Sequence, residues 1–253
     1  MRAPHPSPVI EALALAKTFT LHARGGLSLP VFHEINLSVG PGECLALTGQ
    51  SGAGKSSLLR CLYGNYAATS GEVRVQHQGD WIALSGAEPR DVLAVRRYSM
   101  GYVSQFLRVI PRISTLDIVA DPLRRLGVPM PQARERAAQW LQRLNLQEAL
   151  WTLPPATFSG GEQQRVNIAH GMITEPAVLL LDEPTASLDA TNRHAVVALI
   201  CAARQQGSAI IGIFHDEEVR AQVATRCLDI GQHRALNRPS APENPNSFST
   251  PTP

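Results

Sequence analysis

The sequence predicts an α/β fold with a parallel core sheet, an antiparallel β subdomain and an inserted helical subdomain. Three short apolar runs, at residues 43–48, 177–181 and 209–214, are typical of buried strands in a parallel sheet. A hairpin signature at residues 71–84, with Gln78-Gly79-Asp80 at its turn, indicates an antiparallel sheet beside it. Apolar residues recur at helical spacing from residue 133 to 144, which predicts a helix of the insert.

Length and composition limit the kinds of protein that this chain can be. Its 253 residues, 44% of them hydrophobic, suffice for one large domain or one domain with an insert. The net charge of +2 gives no broad basic field, so nucleic acid is not expected as a partner. The four cysteines form no CxxC pair, and no apolar run reaches transmembrane length. We therefore expect a cytoplasmic protein without direct membrane insertion.

The two ends of the chain are predicted to be disordered. Prolines interrupt residues 1–8, which do not resemble a signal peptide, and residues 238–253 are too polar and proline-rich to pack. Residues 9–237 form the predicted domain, with the helical subdomain at about residues 106–158. Its first two strands are predicted at residues 9–21 and 29–39.

A phosphate-binding loop pattern follows the strand at residues 43–48. Two glycines bracket four residues, Lys-Ser comes next, and a helix is predicted to follow. Such a loop directs backbone N–H groups and the helix dipole at one point, where a polyphosphate fits. The alternative is a glycine-rich turn with an incidental lysine, but Lys17 is the only other lysine of the chain, which favours nucleotide binding. The predicted binding residues are Gly49, Gln50, Ser51, Gly52, Ala53, Gly54, Lys55, Ser56 and Ser57.

Candidate metal and catalytic residues lie near the ends of the predicted strands. Lys55 would neutralise phosphate oxygens, and Ser56 would offer its hydroxyl to Mg²⁺. Asp182 could reach Mg²⁺ through water, and Glu183 could orient or deprotonate the hydrolytic water. Two consecutive carboxylates after a buried strand would be costly unless they are functional.

Three further residues have two interpretations each. The amide of Gln105 could hold Mg²⁺ and the attacking water, although taken alone it is an ordinary loop residue. His215 could sense the γ-phosphate or form a metal pair with Glu218, and the lack of further ligands nearby favours the phosphate sensor. Phe19 could pack in the core or stack on an adenine ring.

A second helix that could bind an anion is predicted to begin near residue 159. Ser159 and Glu162 have the spacing of a capping box. The helix would begin with a hydroxyl, two glycines and free N–H groups, which favour an anion. The residues concerned are Ser159, Gly160, Gly161, Glu162 and Gln163.

Residues 107–113 mix apolar and basic side chains next to the predicted nucleotide site. Ordinary loop packing is one explanation, but a soluble loop seldom contains so many apolar residues without a partner. We expect Leu107, Val109 and Ile110 to contact a partner protein, with Arg108 and Arg112 at the rim.

With these motifs in order, the chain resembles the ATP-binding cassette (ABC) family over about residues 9–236. The resemblance implies a P-loop NTPase of the ABC nucleotide-binding type, with ATP and Mg²⁺ as cofactors and Phe19 stacking on adenine. In this family two cassettes meet head to tail, and each ATP lies between one phosphate loop and the partner's signature helix, here residues 159–163. The implied partner is a second cassette, identical or a sister subunit, with Asp189 in the loop at the dimer contact.

A narrower resemblance concerns residues 103–114, 157–169 and 212–217. These are similar to the cassette subunits of the bacterial phosphonate carbon–phosphorus lyase system, which forms a ribose methylphosphonate triphosphate from ATP and methylphosphonate. The resemblance implies an ATP-hydrolysing subunit whose partners are soluble carbon–phosphorus lyase proteins. The chain departs from that pattern at His170, where arginine is usual, and at Ser57, where threonine is commoner.

Two other functions share the same core motifs. One is the ATP-binding subunit of a lipoprotein-releasing or peptide-exporting transporter. The other is a clamp that binds ATP to close an assembly and rarely hydrolyses it. The shared motifs do not distinguish these functions, because each function requires the same nucleotide site.

Overall fold

The computed structural model describes residues 7–21, 26–107 and 112–233. The strands are β1 (Ile10–Leu21), β2 (Leu27–Val39), β3 (Cys44–Thr48), β4 (Ser70–His77), β5 (Asp80–Ala83), β6 (Met100–Val103), β7 (Val178–Asp182), β8 (Ala209–Ile213) and β9 (Arg226–Asp229). The helices are α1 (Lys55–Leu62), α2 (Pro89–Tyr98), α3 (Thr115–Arg125), α4 (Met130–Arg143), α5 (Gly160–Met172), α6 (Ala190–Gln205) and α7 (Glu217–Val223). The predicted disorder at residues 1–6 and 238–253 lies outside the described residues.

Five parallel strands form the core sheet, in the order β6-β7-β8-β3-β9. Strands β7 and β8 are buried along their whole length, as their uninterrupted apolar sequences predict. Val103 pairs with Leu181, and Asp182 pairs with Ile213. Because parallel strands end at the same edge, this register brings the residues that follow β3, β6, β7 and β8 to one side of the sheet. The predicted parallel core is confirmed.

The second sheet is antiparallel, with the order β2-β1-β4-β5. His77 pairs with Asp80 across a two-residue turn in which Gln78 and Gly79 have φ values of 53° and 98°. Positive φ at both turn positions matches the twist of a hairpin, and Gly79 accepts it without steric cost. The predicted hairpin is therefore confirmed, and the inner face of this sheet shares a buried cluster with α1.

Two helices, α3 and α4, lie within the predicted helical insert. The helix predicted from the spacing of Ala133, Ala137 and Leu141 begins at Met130, and these three side chains are fully buried against α3 and α5. Burial of one such leucine stabilises the fold by roughly 1.5–3 kcal/mol. Helix α3 was not predicted. Ser114 caps it, with its hydroxyl accepting a hydrogen bond from the N–H of Asp117.

The segment expected to contact a partner is only partly described. Leu107 is half-buried and packs against the helical cluster, which supports loop packing for this residue. Phe106, by contrast, is 75% exposed. Residues 108–111, including Arg108, Val109 and Ile110, lie outside the described residues, so the expected contact there stays a prediction. No helix in the described part of the chain is long and apolar enough to cross a membrane.

Candidate functional site

The phosphate loop connects β3 to α1, and the side chain of its lysine is bonded back onto the loop. Lys55 is 8% exposed, and its ammonium donates hydrogen bonds to the carbonyl oxygens of Gly49 (2.7 Å) and Gln50 (2.9 Å). Gly54 has a φ of 96°, and a Cβ there would lie 2.5 Å from the Cγ1 of Val31. Only glycine fits this position. No side chain caps the start of α1 and its first turn holds no acidic residue, so its N–H groups can receive phosphate.

Asp182 and Ser56 lie together beside this loop. The Ser56 hydroxyl donates to Asp182 Oδ1 over 2.9 Å, and the Tyr102 hydroxyl donates to Oδ2 over 3.3 Å. Burial raises the pKa of Asp182, while the hydrogen bonds from Ser56 and Tyr102 act in the opposite direction. Carboxylate, hydroxyl and amide oxygens are the ligands that Mg²⁺ prefers, so the side chains of Ser56, Asp182 and Gln105 suit the metal expected from the sequence.

Glu183 is held between the other two predicted catalytic residues. His215 Nε2 lies 2.7 Å from Glu183 Oε1, and Gln105 Nε2 donates to Glu183 Oε2 over 3.2 Å. Glu183 also has a φ of 54°, a conformation that costs a non-glycine residue roughly 1–3 kcal/mol. The N–H of Glu183 donates to the carbonyl oxygen of Ile213, which holds this strained backbone in place. Strain of this kind clusters at functional sites.

The signature residues lie at the start of α5, on the surface. The Ser159 hydroxyl and N–H both donate to Glu162 Oε2, over 2.7 and 2.8 Å, and the N–H of Glu162 donates to the Ser159 hydroxyl. The predicted capping box is confirmed. Gln163 Nε2 donates to the carbonyl oxygen of Phe158, and a Cβ on Gly161 would lie 3.0 Å from the carbonyl oxygen of Ser187. Among the described residues, no hydrogen bond or ion pair joins residues 159–163 to the phosphate loop.

Helix α5 also connects the loops that follow β6 and β7 at the carboxyl edge of the core sheet, and the sequence did not predict this connection. Asn167 Nδ2 donates to the carbonyl oxygen of Ser104, next to Gln105, over 2.6 Å. Gln164 Nε2 donates to the carbonyl oxygen of Pro184, next to Glu183, over 3.4 Å. Both side chains are buried and stand three residues apart, so they lie on one face of α5. In the sequence, the three-residue spacing of Gln164 and Asn167 was the only signal of these contacts.

Asp189 is the N-cap of α6 and does not stand free in a loop. Its carboxylate accepts hydrogen bonds from the backbone and side chain of Asn192, both over 2.8 Å. These bonds hold the pKa of Asp189 below its usual range. Asn192 also accepts a hydrogen bond from Arg165 of α5, so this loop is tied to the signature helix. The predicted role of Asp189 at a dimer contact stays a prediction.

Phe19 is half-buried and lies outside both buried apolar clusters, which argues against the core interpretation. Its ring meets the Tyr66 ring edge-on, with centroids 5.3 Å apart. The Lys17 ammonium lies 4.7 Å from the Phe19 ring centre and donates to the carbonyl oxygen of Ala67. An aromatic ring with a partly open surface is suited to stacking.

A cleft of about 430 Å³ is lined by residues of α2, β6, α3 and α5. Tyr63 and Tyr102 stack in it with ring centres 4.9 Å apart. His170, the departure noted in the sequence, lines the same cleft, and burial lowers its pKa. Three arginines share the lining: Arg96, Arg97 and Arg125. The cleft was not predicted, since its residues come from distant parts of the chain.

Comparison with known proteins gives consistent results. A family model described as ABC transporter matches residues 32–186, more than half of the chain. The lipoprotein-releasing system ATP-binding protein LolD from Maricaulis maris is 38% identical over 216 residues, covering 85% of this chain and 91% of that protein. LolD from Alcanivorax borkumensis is 35% identical over 217 residues, covering 85% of this chain and 92% of that protein.

Solved structures resemble this fold closely. A dimeric structure of MJ0796, a bacterial ABC transporter cassette, has a TM-score of 0.79 and 27% identity, covering 88% of this chain and 95% of that chain. A dimeric post-hydrolysis state of MJ0796 bound to ADP and Pi has a TM-score of 0.78, with the same identity and coverage. The fold class expected from the sequence, a nucleotide-binding cassette with parallel and antiparallel sheets, is confirmed.

Proposed function

Because this chain belongs to the ABC transporter family, we propose that it hydrolyses ATP in sites shared by two cassettes placed head to tail. One observation carries the proposal. Glu183 is held by Gln105 and His215 at the same sheet edge as Lys55, Ser56 and Asp182. A base, a phosphate-binding cation and a metal-binding carboxylate in one place suit phosphoanhydride hydrolysis.

ATP would bind with its phosphates in the loop of residues 49–57. The Lys55 ammonium, now on two carbonyl oxygens, would instead contact β and γ oxygens, and the N–H groups at the start of α1 would receive the same phosphates. Phe19 would stack on the adenine. Ser56, Asp182 and Gln105 would hold Mg²⁺, which neutralises charge that develops on the β- and γ-phosphates.

Hydrolysis would use Glu183 as the general base. Water attacks the γ-phosphorus, its proton passes to the Glu183 carboxylate, and the bond to the β-phosphate oxygen breaks to give ADP and phosphate. His215 and Gln105 each hold one oxygen of Glu183, which would orient the carboxylate for the attacking water. His215 would also contact the γ-phosphate, the role expected from the sequence.

The second cassette would complete the site. Ser159, Gly160 and Gly161 of one copy would contact the γ-phosphate bound by the other, with Asp189 near the contact. The dimeric MJ0796 structures support the pairing of two cassettes of this fold.

Two physiological roles have specific support. The relatives named lipoprotein-releasing system ATP-binding protein favour a subunit that drives a membrane exporter. They support this role better than the second candidate role. The second candidate is a subunit of the phosphonate carbon–phosphorus lyase system, which the residues at 103–114, 157–169 and 212–217 favour. In either role we place the chain at the cytoplasmic side, where ATP is available.

Affinity purification tests the role. Tagged Glu183→Gln protein, expected to hold ATP, would be recovered from cells with ATP and Mg²⁺ present, and tagged Lys55→Ala protein serves as the control that binds ATP weakly. Recovery of a permease from solubilised membranes supports the exporter. Recovery of soluble lyase proteins from cells grown on a phosphonate supports the second role and contradicts the first.

A further inference from the structure

The carboxylate of Asp182 has a second donor that is not part of the proposed metal and phosphate site. Ser56 occupies Oδ1, and the hydroxyl of Tyr102 occupies Oδ2. Asp182 has no exposed surface, so water does not substitute readily for a lost donor. A buried carboxylate oxygen without a partner is costly, which makes the Tyr102 hydroxyl important for this group.

The neighbours of Tyr102 determine where its proton points. The guanidinium of Arg60 interacts with the Tyr102 hydroxyl and also donates to the Tyr66 hydroxyl over 2.9 Å. A guanidinium has only donors, so its positive charge near the phenol oxygen favours the orientation in which the single hydroxyl proton points to Asp182 Oδ2, as the 3.3 Å hydrogen bond has it. The stack on Tyr63 fixes the ring itself.

We propose that Tyr102 is a positioning residue for the metal-binding carboxylate. Its donation to Oδ2 holds the plane of Asp182 so that Oδ1 faces Ser56, the other residue that would hold Mg²⁺. If the Ser56 hydroxyl oxygen bound Mg²⁺, Tyr102 would remain as the donor that keeps the carboxylate in place. This inference rests on the proposed Mg²⁺-dependent hydrolysis. It adds a residue whose role does not require contact with ATP or the metal.

The test compares Tyr102→Phe with Tyr63→Phe, both in the Glu183→Gln background, which is expected to hold ATP. Each variant loses one phenol hydroxyl from the same stacked pair. Among the described residues the Tyr63 hydroxyl makes no hydrogen bond, so Tyr63→Phe is the matched control. Mn²⁺ binding in the presence of ATP, followed by electron paramagnetic resonance, should weaken about tenfold in Tyr102→Phe, the order expected for one hydrogen bond to a charged group. It should be unchanged in Tyr63→Phe.

Two further measurements distinguish positioning from packing. ATP binding in EDTA should be the same in both variants, because the phosphate loop does not involve Tyr102. With Glu183 intact, Tyr102→Phe should need about tenfold more Mg²⁺ for half-maximal ATPase, with kcat restored at saturating Mg²⁺.

The inference is overturned if Tyr102→Phe binds Mn²⁺ like its parent. It is also overturned if Tyr63→Phe weakens Mn²⁺ binding equally, or if Tyr102→Phe loses ATP binding in EDTA, since either result indicates a packing role. Failure of the proposed function looks different. In that case the parent protein itself shows no coupling between ATP and Mn²⁺.

Discussion

Two helices of this chain begin with glycines and backbone N–H groups, yet their first turns are built in opposite ways. Helix α1 has no side-chain cap and no acidic residue in its first turn, and it carries the buried Lys55. Helix α5 is capped by Ser159, and Glu162 accepts hydrogen bonds from both the hydroxyl and the N–H of that serine. The start of α1 is therefore uncapped and carries a cation, whereas the start of α5 is capped by its own residues and closed by the carboxylate of Glu162.

Under the proposed function, this difference explains why one chain has two such sequences. The start of α1 would be complete for phosphate, because the cation, the N–H groups and the proposed metal-binding carboxylate belong to the same chain. Residues 159–163 at the start of α5 include no lysine or arginine, and the Ser159 hydroxyl is already bonded to Glu162. It would exchange that bond for a phosphate only when a second chain brings one. The predictions that follow test this difference between the starts of α1 and α5, beginning with the largest expected effect.

Ser159→Arg should abolish ATP-dependent pairing and, with it, hydrolysis. The guanidinium would occupy the place of the partner's γ-phosphate, while the phosphate loop of the same chain stays intact. Size-exclusion chromatography with light scattering, with and without ATP, measures pairing, and fluorescence of an ATP analogue measures binding by the monomer. Loss of ATP binding by the monomer would contradict the head-to-tail arrangement.

Mixing Ser159→Arg with Lys55→Ala sharpens the same test. If identical copies pair, the mixed dimer contains one site with two defects and one site with none. ATPase activity should therefore reappear in the mixture, although each variant alone is inactive. A mixture that stays inactive, while the mixed dimer is shown to form, contradicts shared sites.

Glu183→Gln should slow hydrolysis by about a hundredfold or more and leave ATP binding intact. Glutamine keeps one acceptor oxygen for its neighbours but cannot accept the proton of the attacking water. Phosphate release measures hydrolysis, and Glu135→Gln, an exposed change on α4, is the control. Near-normal turnover after removal of contaminating ATPases would place the general base elsewhere.

Lys55→Ala should weaken ATP binding by roughly ten- to a hundredfold, the effect of losing a charge-assisted hydrogen bond to phosphate. Calorimetry measures the dissociation constant, and Arg90→Ala, which removes an exposed cation from α2, is the control. Unchanged affinity with lost turnover would mean that Lys55 acts only in the transition state, and that the start of α1 binds phosphate without its cation.

Much of this contrast was predictable from the sequence because it depends on short spacings. The phosphate loop spans residues 49–57, and the capping box needs only Ser159 and Glu162, so both are visible without a fold. The parallel strands followed from uninterrupted apolar runs. In contrast, the contact of Asn167 with Ser104 joins residues 63 positions apart. It depends on how α5 packs against β6, which no local pattern reports.

The role of Tyr102 was missed for a related physical reason. A tyrosine in a buried strand is ordinary, and only the approach of β6 to β7 places its hydroxyl beside Asp182. The strained φ of Glu183 was equally invisible, since the sequence there reads as the end of a strand. The sequence therefore predicts which residues take part, and the tertiary structure determines how they are held.

The smallest expected effect concerns the carboxylate that closes α5. Glu162→Gln keeps the shape of the capping box but removes a negative charge from the positive end of the helix dipole, so the free energy of unfolding should fall by about 0.3–1 kcal/mol at neutral pH. Urea denaturation measures this difference against Glu135→Gln, whose exposed carboxylate lies on α4. An equal loss in both variants would mean that the charge at the start of α5 has no special role.

The pH dependence of that difference identifies its cause. Hydrogen bonds from the Ser159 hydroxyl and N–H lower the pKa of Glu162 in the folded protein. The stabilisation is thus complete above the pKa of glutamate in the unfolded chain, about 4.3, and is lost as pH falls through the lower folded pKa. Wild type and Glu162→Gln should become equally stable at the acid end of this range. A difference that persists there would come from the geometry of the amide rather than from the charge, and α5 would then be closed by shape alone.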